Sequence, residues 1–265
     1  MGTAQLYCLI LKKQMKAQLQ YPLNAAVGFL NQLLTSFLEF VAMWTLFDRF
    51  GQVDGWTFEE VFLTYSLINM AAAVSETLMR GFETNLTSLI RRGEYDRYLL
   101  RPRSTFFQIS AFSFDLVRLG RVFQAAVVFV AGIVLNAERI VGLEWIVLGY
   151  TLLASFALYF ALYIVTGIIS FRVLQQTEFM SIFIQGSTST MQYPMTIYPK
   201  WIQDLFTYVL PAAAVSYFPI SAILGKPLSI SPAAACLMPF LCYILLWVVI
   251  LIFHRMERTY VSSGS

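Results

Sequence analysis

Apolar residues run along this chain in blocks long enough to cross a lipid bilayer. A hydrocarbon core of about 30 Å needs about 20 helical residues at 1.5 Å each. Windows of that size occur at 21–46, 56–79, 145–170, 177–197 and 231–253. A thinner one lies at 110–135. Its apolar part, Val122 to Leu135, would span only about 21 Å at the helical rise. Asp115, Arg118 and Arg121 precede it, so that helix is expected to start in the headgroup zone with its arginines snorkelling to the interface. The pattern therefore predicts six transmembrane helices.

A further stretch, Leu205 to Leu224, is long enough to span but contains Pro211 and Pro219. Proline removes a backbone donor and disrupts a helix interior. A broken, re-entrant element is expected within 200–226, tolerated at membrane depth only where protein or water covers it. Residues 4–20 mix apolar positions with lysines and read as an amphipathic interface helix; a frayed leader is the alternative. Lys12 and Lys13 follow the short apolar stretch Leu6–Leu11 on the wrong side for a secretory signal. No internal repeat of the kind found in many secondary transporters is visible.

Charge gives the orientation. With six spans, only Arg49, Arg139, Lys200 and Lys226 of the 18 basic residues fall on one side. The rest share the other side with both termini. The positive-inside rule makes that side cytoplasmic, in a multi-pass protein of the cell (inner) membrane. A seventh span would move Arg255 and Arg258 outside. Composition agrees: 58% of residues are hydrophobic and 12% charged, against roughly 45–50% and about 25% in a globular domain. The fold class is an all-α integral membrane protein, one transmembrane domain over 1–265.

Polar groups inside spans are costly and therefore candidates for function. Asn31, Thr35 and Glu39 recur every four residues on one face of the first span. Ser66, Asn69, Ala73 and Glu76 share a face of the second. These stripes either line a pathway or act as hydrogen-bonding glue between helices; alternatively, Glu39 and Glu76 sit near opposite membrane surfaces. An enzyme needs a constellation, and none is present. Cys8, Cys236 and Cys242 show no metal spacing, His254 is the lone histidine, and HExxH, GxSxG and GxxxxGK[ST] are absent. No cofactor is expected in this chain, and nothing suggests nucleic acid. In the loop 82–104, Phe82 to Arg92 has helical propensity, Gly93 ends it and Pro102 blocks the next turn. Arg91, Arg92, Arg97 and Arg101, with Leu99 and Leu100 beside them, form either a docking surface or a solvated, topology-setting loop.

Three segments carry a resemblance. Gly93-Glu94-Tyr95-Asp96-Arg97-Tyr98-Leu99-Leu100-Arg101-Pro102 resembles the G-x-x-D-x-x-L-x-R-P segment of type-2 exporter permeases of the ABC transporter class. Tyr198-Pro199, Leu210-Pro211, Tyr217-Phe218-Pro219 and Leu224-Gly225 are similar to the proline-rich segment before that family's last span. Arg258-Thr259-Tyr260-Val261-Ser262-Ser263-Gly264 is similar to its R-x-Y-x-S-x-G ending.

The resemblance implies a non-catalytic subunit that exports a drug, antibiotic, lipid or glycan, with ATP and Mg held by a separate ABC ATPase dimer. A second permease would pair with it, identical or different, and membrane lipids would surround both. Arg91, Arg92, Gly93, Asp96, Arg97, Leu99, Arg101 and Pro102 would match the cytoplasmic coupling helix between spans 2 and 3. Pro199, Pro211, Tyr217 and Pro219 would belong to an outer gate, and the facing first and fifth spans to the path. The competing class is an ion-coupled transporter or channel working through Glu39 and Glu76.

Overall fold

The computed structural model describes residues 3–20, 22–173 and 178–261. Among the described residues the regular elements are helical. They are α1 (Thr3–Gln18), α2 (Pro22–Phe50), α3 (Phe58–Met79), α4 (Gly81–Arg91), α5 (Tyr95–Leu99), α6 (Thr105–Phe112), α7 (Leu116–Leu135), α8 (Glu144–Ser170), α9 (Glu178–Met191), α10 (Lys200–Asp204), α11 (Tyr217–Ile223), α12 (Pro232–Leu237) and α13 (Phe240–Arg258). Five spans are long and apolar enough to cross a bilayer, built on α2, α3 with α4, α7, α8, and α12 with α13; a sixth results if the bent pair 200–209 and 213–223 counts as one.

α3 is the central element. It is buried along most of its length, with Val61, Leu63, Leu67, Ile68 and Ala71 fully enclosed; α7, α8 and α9 pack around it, and α2 touches it through the Phe40 and Phe47 rings on Phe58 and Phe62. Backbone capping sets its start: the Thr57 amide donates to Glu60 Oε2 at 2.8 Å, with Glu60 one turn into the helix. α2 is the opposite case. Phe29, Leu33, Phe37 and Trp44 are exposed on it, and among spans it lies chiefly against α7.

Two expected boundaries move. The third span lies within the 110–135 window but starts at Leu116 and not at its beginning. Asp115 accepts the Val117 amide at 3.0 Å as its N-cap, and residues 105–112 form the separate helix α6. The fifth window, 177–197, is not one clean helix. α9 ends at Met191, short of a bilayer thickness, and a 3₁₀ turn follows Pro194. α8 ends beside Phe253 and Tyr95, through the Phe171 ring. The start of α13 lies beside that of α8, where the Tyr243 hydroxyl donates to the Tyr150 carbonyl. Residues 178–226 therefore make one net crossing in pieces: α9, then the bent pair, whose axes differ by 77°. The prolines explain the break. The Leu210 amide reaches back five residues to Leu205 at 2.9 Å, widening the turn before Pro211. Pro219 sits in the first turn of α11, where its missing amide costs little.

The bundle thus has two ends. The terminal end gathers α1, α4 to α6, the end of α8 and the end of α13. The distal end gathers the α2–α3 loop, the α7–α8 loop and residues 224–231.

At the α3–α4 junction, Gly81 meets α6 backbone to backbone. A Cβ there would lie 2.6 Å from the Ile109 carbonyl oxygen, closer than real contacts allow. Gly81→Ala should cost about 1–3 kcal/mol as an overpacked site, read as a lowered thermal midpoint of the detergent-solubilised protein. An unchanged midpoint would show that the junction is looser than the structure has it.

Candidate functional site

The motif 93–102 forms an exposed, basic corner at the terminal end. α4 continues α3 after Arg80, with Phe82, Leu86 and Ile90 buried and the Thr87 and Ser170 hydroxyls 2.6 Å apart across α4 and α8. α4 is thus a packed extension of the second span, and the accessible part of the loop begins at Arg91. Gly93 takes φ +67°, a left-handed conformation that ends the helix as a glycine C-cap does. The short α5 follows. Arg91, Arg92, Arg97, Leu99, Leu100, Arg101 and Pro102 are exposed around it, while Gly93 and Asp96 are half-buried.

This corner is held from behind by residues that the sequence pattern did not single out. Tyr95 is fully buried and donates to Glu257 Oε1 at 2.7 Å, near the end of α13. Burial, then the hydrogen bond to Glu257, pushes its hydroxyl well above the usual tyrosine range, so it remains a donor at any working pH. The Thr105 hydroxyl donates to the same carboxylate oxygen. Gln108, almost fully buried on α6, donates to the Tyr98 and Arg103 carbonyls, both at 3.0 Å, and its Oε1 accepts from Arg101 at 3.4 Å. The Arg101 guanidinium lies 5.3 Å from the Tyr98 ring centre and 5.5 Å from that of Phe112, a cation–π arrangement. Two of the motifs read from sequence also meet here: the Tyr95 ring stands edge-on to Tyr260 at 5.1 Å. Ser262, Ser263 and Gly264 lie outside the described residues. A lone Gln in an apolar run was the only visible hint of Gln108, and nothing in the pattern marked Glu257.

The polar stripes divide. Glu39, Asn69 and Glu76 line one small polar cavity of about 60 Å³, completed by Arg121, Tyr163, Gln185 of α9 and Gln192 just after that helix. Asn31 and Thr35 are exposed on α2 and lie away from it; Thr35 donates to the Asn31 carbonyl on its own helix, at 3.0 Å. The placement of Glu39 and Glu76 near opposite membrane surfaces is overturned, because both face this cavity. The two spans share the site because α2 runs beside α3, and the Tyr65 hydroxyl donates to Glu39 Oε2 at 3.2 Å. Glu76 is paired with Arg80 and Arg121, with Arg118 Nε at 3.9 Å. Arg118 and Arg121 therefore turn towards α3 instead of snorkelling away. The reason is desolvation: a buried carboxylate without a cation is far costlier than the snorkelling gain.

At the distal end, Glu60 plays the matching part. It is 5% exposed, with Arg139 at 2.9 Å and Lys226 at 2.7 Å. Lys226 also donates to the Gly55 carbonyl at 2.8 Å and sits over the Trp56 ring. One carboxylate thus ties the α7–α8 loop and the exit of the bent segment to the start of α3. Within that segment, Pro199 precedes α10, the Pro211 carbonyl accepts from the Cys242 thiol at 3.5 Å, and the Tyr217 ring lies 6.2 Å from Trp56. Pro219 is buried. The four are spread along the bent segment without converging on one point. Among the described residues no three His, Cys, Asp or Glu side chains gather as a metal site would need.

A family model described as "ABC-2 family transporter protein" matches residues 33–264. No curated protein matches the chain.

The Glu60 clamp gives an order of effects. Lys226 is the more buried of its two cations, at 19% side-chain exposure against 42% for Arg139. Lys226→Ala should lower the thermal midpoint more than Arg139→Ala, by an amount reflecting about 1–3 kcal/mol for a partly unpaired buried carboxylate. Equal effects would mean that Glu60 is not the keystone of this end.

Proposed function

The chain belongs to the ABC-2 transporter family, whose members are the transmembrane components of ABC transporters and work with an ABC ATPase; from that premise we propose that it is the permease subunit of an ATP-driven exporter. Its arginine-rich corner, residues 91–103, is the docking face for the ATPase. The observation that carries this reading is the combination of exposure and support there: Arg91, Arg92, Arg97, Leu99 and Leu100 point outward, while Tyr95, Glu257 and Gln108 fix the backbone from behind. A solvated, topology-setting loop would not need three such anchors.

ATP and Mg²⁺ are held on the partner, and no bond is made or broken on this chain. Closure of the ATPase dimer displaces α5; α4, packed on α8 and continuous with α3, carries the displacement into the bundle. The ligand-driven change acts by biasing two packed states of the membrane part. A second permease, identical or different, covers α2. Support comes from Asn31 and Thr35, which lie exposed on a span where facing lipid would be costly. The apolar and aromatic residues exposed beside them, Phe29, Leu33, Phe37 and Trp44, favour a hydrophobic or amphipathic cargo. The bent segment, tied to α3 through Lys226, is the outer gate. The terminal end faces the cytoplasm of a cell with this protein in its inner membrane, because 14 of the 18 basic residues gather there.

Arg92→Glu with Arg97→Glu should weaken co-purification of the ABC ATPase at least about tenfold, equivalent to roughly 1.4 kcal/mol, while leaving the thermal midpoint of the permease unchanged. The loss should deepen with added salt in the wild type too, since exposed charges are screened. Undiminished ATPase recovery with the double variant would remove the docking face from this corner.

A further inference from the structure

Next to the docking face, α1 and α6 stand apart and leave an open groove of about 520 Å³, within the roughly 300–1,000 Å³ of typical small-molecule sites. Its walls are apolar: Leu9, Ile10 and Ala17 from α1 face Phe107 and Phe112 of α6. Its rim is basic, with Lys13 from α1 and Arg101 and Arg103 from the loop before α6, and no carboxylate lines it.

The groove has a fixed width. Gln14 Nε2 donates to the Phe112 carbonyl at 3.4 Å and Gln18 Nε2 to the Phe114 carbonyl at 2.9 Å, pinning α1 along the α6–α7 connection. Arg101 is held by Gln108 and by the Tyr98 and Phe112 rings, so its position does not depend on an occupant. The site lies where an amphipathic helix meets the ends of the spans, at headgroup level.

An apolar slot beneath three cations matches a molecule with a hydrocarbon chain and an anionic head. We propose that the groove binds one anionic phospholipid from the surrounding leaflet, an acyl chain between α1 and α6 and the phosphate among Lys13, Arg101 and Arg103. Phosphate suits this rim because guanidinium pairs with it in a bidentate fork. A zwitterionic lipid offers the same chain and phosphate but brings a cation into a rim that is already positive. The occupant would wedge α1 against the back of α6, whose Gln108 supports the corner 98–103, and so brace the docking face. This regulatory consequence rests on the permease reading; the binding itself does not.

The test therefore uses the isolated chain. Protein in a mild non-ionic detergent is incubated with equal amounts of phosphatidylglycerol and phosphatidylcholine of matched chains, and retained lipid is counted by native mass spectrometry. One phosphatidylglycerol per chain should be retained in preference to phosphatidylcholine. Lys13→Ala with Arg103→Ala should reduce that retention roughly fivefold per cation removed, and Ala17→Trp, which fills the slot, should abolish it. Thermal midpoints check that each variant is folded, and the charge variant keeps the test decisive if the tryptophan disturbs α1. Equal retention of the two lipids, or wild-type retention by the charge variant, would overturn the site. Neither outcome bears on ATPase docking, which the co-purification experiment reads separately.

Discussion

A carboxylate near each end of α3 governs how this bundle is assembled. α3 is the most enclosed helix, and a charge taken out of water there must be neutralised in place or it is prohibitively costly. Glu60 near the distal end draws in Arg139 and Lys226. Glu76 near the other end draws in Arg80 and Arg121. The partners come from different elements: the α7–α8 loop, the exit of the bent segment, the α3–α4 junction and α7. Each carboxylate thus converts a solvation problem into a connection between parts that hydrophobic packing alone would orient loosely in lipid, where apolar surface gives little drive for helix association.

The same logic explains why the corner proposed as the docking face is firm. α5 is too short to be a stable helix alone, and the exposed arginines Arg91, Arg92, Arg97, Arg101 and Arg103 lie on and around it. Its shape comes from the buried side: Tyr95 on Glu257, Thr105 on the same carboxylate, and Gln108 satisfying two carbonyls of the loop. These contacts join residues distant in the chain, so a push on α5 is felt at once by α13, α6 and, through α4, by α3 and α8. Such stiffness is what the proposed coupling role requires.

Much of this was legible in the pattern of apolar blocks. The spans of α2, α3, α8 and α13, the N-terminal helix α1 and the break at Pro211 follow from length, composition and proline chemistry, which act locally. The start of α7 was misplaced because Asp115 acts as an N-cap, and an N-cap resembles any other acid before a polar turn. The fifth crossing was overestimated because hydropathy does not register the stop at Pro194 inside a run that stays apolar. The split of the polar stripes, with Asn69 and Glu76 in the cavity and Asn31 and Thr35 outside it, depends on which helices are neighbours, and so do the roles of Gln108 and Glu257. Such facts are tertiary. Periodicity gives a face, not its partner.

The central claim is that buried carboxylates on α3 hold the bundle through specific cations, and a double-mutant cycle at Glu76 and Arg121 tests it most directly. Chemical unfolding of the detergent-solubilised wild type, Glu76→Gln, Arg121→Gln and the double variant gives the coupling between the two side chains. Each single change should destabilise, and the double change should cost less than the two together, with a coupling of about 0.5–3 kcal/mol. Strict additivity would contradict it, and α3 would then be held by packing alone.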